Sequence, residues 1–103
     1  MELGLFQLEN LVGTRTPFCF LALEPFNETL PTEIQVLVQK ATQVQSANVE
    51  AYLREQRTPA GAPIVLLCKD GRASKELAAI LERAGFQNIY TVARGIAGLL
   101  SEV

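Results

Sequence analysis

The sequence predicts an α/β fold, a mainly parallel central sheet flanked by helices, and three observations predict it. Residues 18–23 (FCFLAL) and 64–67 (IVLL) are apolar without alternation, as strands buried on both faces are. Behind the second run, Leu77, Ile80, Leu81 and Ala84 recur at i, i+3, i+4 and i+7, one face of a helix. A further strand-like run, residues 88–92, follows that helix. Strand, helix and strand of these lengths make a right-handed crossover, which demands parallel neighbours.

The remaining elements are read in order. Residues 5–12 are mixed and are expected to hold a short strand or turn and a short helix. Pro17 and Pro25 bound the first buried strand. Between residues 29 and 57, Ile34, Leu37, Val38 and Ala41 follow helical spacing, whereas Ile34, Val36 and Val38 alternate as in a strand. Thr29, Pro31 and Thr32 form a helix start signal, and the run outlasts a typical strand, so helix is preferred. A second helix is expected over 49–56, broken by the Thr-Pro-Ala-Gly-Ala-Pro stretch at 58–63. Residues 68–74 read as a turn-rich loop. The helix behind it ends at Gly85, a C′ glycine, with Arg83 in its last turn to meet the negative end of the dipole. Residues 95–100 close the chain as a short helix. No repeat or linker divides these elements, so residues 1–103 are expected to form one domain, burying roughly two thirds of the unfolded surface.

Composition narrows the chemistry. The 103 residues include no histidine, which removes Ser-His-Asp and Cys-His nucleophiles and the usual zinc ligands. Asp70 is the single aspartate, so paired-carboxylate hydrolysis is disfavoured and no metal site is expected. The net charge of −2 gives no basic surface for nucleic acid. The charge is nevertheless uneven: residues 68–94 carry five basic and three acidic groups, a local field that suits an anion. The apolar runs are far too short to span a bilayer, and the opening Met1-Glu2-Leu3-Gly4 lacks the positive region of a signal peptide. Cys19 and Cys68 are therefore expected to be reduced thiols in the cytoplasm, with no membrane partner.

Cys68 lies where a buried strand meets a helix, the edge at which ligands collect in open parallel sheets. A loop curling into a helix N-terminus turns backbone N–H groups inward, and the helix dipole adds a positive end. Cysteines so placed are commonly thiolates at neutral pH, without help from histidine. Gly71 permits the curl or a positive φ, while Lys69, Arg72 and Lys75 supply positive charge. Cys19, between Phe18 and Phe20 in mid-strand, reads as a core residue. Phe6, Phe26 and Tyr52 read as core or rim packing, and Arg94 as a solvated charge.

Residues 63–99 (PIVLLCKDGRASKELAAILERAGFQNIYTVARGIAGL) resemble the catalytic half of a rhodanese (sulfurtransferase) domain. The likeness rests on Cys68 at the strand end, Gly71 in the loop, Ala73-Ser74 at the helix start, Ala84-Gly85-Phe86 at its end, and the strand at 89–92. Departures are also visible. Ala73 stands where many members have arginine, Arg94-Gly95 replaces Gly-Gly, and Leu99 replaces a tryptophan. The N-terminal half lacks the family's Asp-x-Arg ending, having Leu21-Ala22-Leu23-Glu24-Pro25, and it lacks the histidine-containing element.

The resemblance implies a rhodanese-like fold with a thiosulfate sulfurtransferase-like activity. Cys68 would be the catalytic nucleophile, and Lys69, Asp70, Gly71, Arg72, Ala73 and Ser74 the loop that holds the substrate. A donor such as thiosulfate or a persulfide would load sulfur on Cys68, and cyanide, a small thiol or a protein cysteine would remove it in ping-pong fashion, with no metal or organic cofactor. A carboxylate at Asp70 repels a doubly negative donor, which Lys69 and Arg72 offset. Two other readings stand beside this one. A rhodanese-like interaction or regulatory domain without turnover is favoured by the missing motifs. A phosphocysteine carrier or cysteine phosphatase also suits an amide-lined loop. It ranks below, because a phosphatase requires arginine where Ser74 stands, and Cys68 comes too late for a phosphocysteine carrier.

Overall fold

The three four-residue strands form where the chain is largely apolar, and the helices where one stripe is apolar. The strands are β1 (Glu2–Leu3), β2 (Cys19–Ala22), β3 (Thr42–Gln43), β4 (Ile64–Leu67) and β5 (Ile89–Val92). The helices are α1 (Leu5–Gly13), α2 (Thr32–Val38), α3 (Val49–Glu55), α4 (Arg72–Arg83) and α5 (Gly95–Ser101). The computed structural model describes residues 1–14, 17–26 and 29–103. All pairings are parallel, in the order β1-β5-β4-β2-β3. Strand β4 is therefore central, with Leu66 opposite Leu21 of β2 and Thr91 of β5.

The period of two along each strand divides the core. Phe20, Val65, Leu67 and Val92 face α1, α2 and α5, through Leu8, Ile34, Leu37, Ile96 and Leu99. Leu21, Ile64, Leu66 and Ile89 face α3 and α4, through Val49, Leu53, Leu77 and Leu81. Helices on both faces explain why β4 reads as an unbroken apolar run and is wholly buried. No described helix is long and apolar enough to cross a membrane.

The α/β expectation holds, and residues 32–38 are helical as preferred over a strand. Four details differ. The segment 68–74 is not all loop, because α4 begins at Arg72 and takes Arg72, Ala73 and Ser74 into its first turn. Ile80 is exposed. A residue steps about 100° round an α-helix, and the buried stripe centres between Leu77 and Leu81, which leaves Ile80 at its edge. Phe6 points to solvent, because α1 buries Leu5 and Leu8 instead. The first strand lies before residue 5, at Glu2–Leu3, held by β5.

Helix α1 starts without a side-chain cap on Gly4. The Gly4 N–H donates to Gln7 Oε1 at 2.7 Å, and the Leu5 N–H donates to the Glu102 carboxylate. A carboxylate at the positive helix end binds the two chain termini together.

Candidate active site

The connections from β2 and β4 leave in opposite directions, β2 towards β3 and β4 towards β5. The crevice beyond the carboxyl ends of β2 and β4 is thus the topological switch point of the sheet, where open α/β sheets bind ligands. Cys68 follows β4 at this crevice, and Glu24 follows β2. Cys68 is 1% exposed and belongs to the apolar cluster containing Leu23, Leu66 and Leu77.

The loop turns sharply at Gly71, whose φ of +92° places it in the left-handed region open to glycine. A Cβ there would lie 3.1 Å from the Arg94 Cα, so the loop also packs closely on the start of α5. The turn aims the Gly71 N–H at Cys68 Sγ, 3.1 Å away. The Arg72 N–H donates to Asp70 Oδ1 at 3.0 Å, and the Lys69 N–H donates to Glu24 Oε1 at 2.7 Å. Behind the loop, the Ile96 N–H donates to the Cys68 carbonyl at 2.9 Å and the Ala97 N–H to the Lys69 carbonyl at 3.1 Å. The first turn of α5 thus finds acceptors for its otherwise orphaned donors, and the loop gains an anchor.

The predicted residues separate by role. Gly71 and Ser74 are buried beside Cys68 in sequence, and the Ser74 hydroxyl has no hydrogen-bond partner among the described residues. Lys69, Asp70 and Arg72 are exposed at the rim, with Arg72 Nε 3.9 Å from Asp70 Oδ2. Lys75 turns away to Glu2, 3.3 Å distant. Sequence reasoning misses Glu24 as a site residue. Its signal lies in the topology, since strand-end residues of neighbouring parallel strands share one edge. A cleft of about 300 Å³ borders Glu24 and Lys69, its other walls being Pro25, Phe26, Ile96, Ala97 and Leu100.

The family model of the rhodanese-like domain matches residues 25–102, which include α2 to α5 and the whole Cys68 loop. The chain belongs to the rhodanese-like domain family. A rhodanese homolog from Thermus thermophilus is similar to this rhodanese-like domain at 20% identity and a TM-score of 0.67, covering 96% of this chain and 100% of that one. A Staphylococcus saprophyticus protein aligns at 18% identity and a TM-score of 0.65, covering 93% and 90%. An NAD-dependent persulfide reductase from A. fulgidus aligns at 24% identity and a TM-score of 0.56 over 78% of this chain. The chain spans only 13% of that reductase. These likenesses show a shared fold. No curated protein sequence matches the chain.

The second cysteine of the rhodanese-like domain differs from the first. Cys19 is half-buried in β2, and burial pushes its thiol above the ordinary value. A raised value means less thiolate at any given pH. In a Cys68→Ser variant, the pH profile of iodoacetamide alkylation at Cys19 will therefore have a higher midpoint folded than in urea. Coincident profiles would contradict this.

Proposed function

We propose that Cys68 carries sulfur: it accepts a sulfane sulfur from thiosulfate or a persulfide and passes it to a thiol, cyanide or protein acceptor. The observation that carries this reading is the Gly71 N–H aimed at Cys68 Sγ at the switch point of a rhodanese-like fold. A backbone donor of this kind suits a negatively charged sulfur. In the loading step the Cys68 thiolate attacks the outer sulfur of the donor. A new S–S bond of about 2.05 Å forms, the old bond to that sulfur breaks, and its electron pair leaves with sulfite or with a thiolate. Charge and sulfur oxidation level balance, so the step calls for no external oxidant. A second nucleophile then attacks the outer sulfur and restores the thiolate. Lys69 to Ser74 form the substrate cradle, and both cysteines rest as reduced thiols, in a cytoplasmic setting.

Intact mass measures the loading. After incubation with thiosulfate or a low-molecular-weight persulfide, the protein will gain one sulfur atom. The gain will vanish in Cys68→Ser and persist in Cys19→Ser. No gain from either donor sinks this reading. The near-complete burial of Cys68 favours the second reading, an interaction domain without turnover, which would then stand.

A further inference from the structure

Two carboxylates from outside residues 68–94 reach that positive segment. Glu2 pairs with Lys75 at 3.3 Å, and Glu24 sits on the Lys69 N–H at 2.7 Å. Within the loop, Asp70 takes the Arg72 N–H at 3.0 Å and lies 3.9 Å from its guanidinium. Two backbone donors of the loop, the Lys69 and Arg72 N–H groups, and the Arg72 guanidinium thus already face the chain's own carboxylates. The cleft beside Glu24 is walled by Pro25, Phe26, Ile96 and Leu100 together with Lys69.

We infer that Glu24, with Asp70, sets donor specificity: the site takes an organic persulfide of low charge in preference to dianionic thiosulfate. This inference rests on the sulfur-carrier reading and names its substrate class. A dianion approaching Cys68 meets a fixed carboxylate on the Lys69 amide, one strand away. An organic persulfide, R–S–SH, brings less charge. Thiolate attack transfers the outer sulfur with its proton to Cys68 and releases RS⁻, so the total charge is unchanged. With thiosulfate the leaving group is sulfite, and a double negative charge must pass the carboxylates twice.

Glu24→Gln removes the charge and keeps an oxygen that accepts from the Lys69 N–H. Loading rates of Cys68 are compared for thiosulfate and 2-hydroxyethyl persulfide, at low salt and at about 0.5 M salt. The thiosulfate-to-persulfide rate ratio will rise about three- to tenfold in Glu24→Gln at low salt, and the rise will shrink at high salt. Asp70→Asn will move the ratio in the same direction. Loading of the parent protein with an unchanged ratio in both variants overturns this inference alone. Failure of both donors to load the parent protein overturns the sulfur-carrier reading beneath it.

Discussion

Replacing Gly95 by alanine will cost about 3 kcal/mol of folding stability, read as a lowered urea midpoint at unchanged slope. Two independent demands meet at this position. Its φ is +59°, where a side chain is disfavoured by roughly 1–2 kcal/mol. A Cβ built there would also fall 2.1 Å from the Cys68 carbonyl oxygen and 2.9 Å from the Lys69 carbonyl carbon. Both neighbours are backbone, so no flexible side chain can yield. The start of α5 must therefore retreat from the end of β4, lengthening the Ile96-to-Cys68 and Ala97-to-Lys69 hydrogen bonds. Gly85 supplies the control. Its φ is +108°, but a Cβ there meets nothing within 4 Å. Gly85→Ala should thus incur conformational strain alone and lose distinctly less. Equal losses at the two sites would show that the close approach to Cys68 is unimportant.

How much of this was legible in the sequence depends on where each signal resides. Strand β4 and helix α4 announce themselves, because a doubly covered strand is apolar throughout and an amphipathic helix has its own period. Gly85 and Gly71 were readable for the same local reason, since each occupies a positive φ that the turn requires. The two-residue strands β1 and β3 were not. Glu2–Leu3 and Thr42–Gln43 have no periodicity of their own and are strands only because β5 and β2 offer them partners. The site divides likewise. Cys68 stands out by its place between strand and helix, and its local donor, Gly71, is three residues away. Glu24 acts across 45 positions of sequence, through the adjacency of β2 and β4. Once the parallel order of strands is known, its approach to the loop follows.

Leu66→Ala and Leu67→Ala will each lower stability by about 3–4 kcal/mol, yet only the first will loosen the candidate nucleophile. Both leucines are 0% exposed in the central strand, and truncation leaves a cavity that neighbours fill only partly. Against a typical domain stability of about 5–15 kcal/mol, both variants should still fold at low temperature. Their difference comes from the pleat. Leu66 shares the α3–α4 face with Cys68, whereas Leu67 packs on the opposite face with Leu8, Ile34 and Leu99. A cavity at Leu66 opens space in the cluster that shelters the Cys68 side chain. A cavity at Leu67 opens space against α1, α2 and α5. Alkylation of Cys68 by iodoacetamide, measured in a Cys19→Ser background well below the melting temperature, should therefore accelerate in Leu66→Ala beyond Leu67→Ala. Equal acceleration would mean that reagent reaches Cys68 by global opening, which both substitutions favour alike, rather than through the face of the sheet on which its sulfur lies.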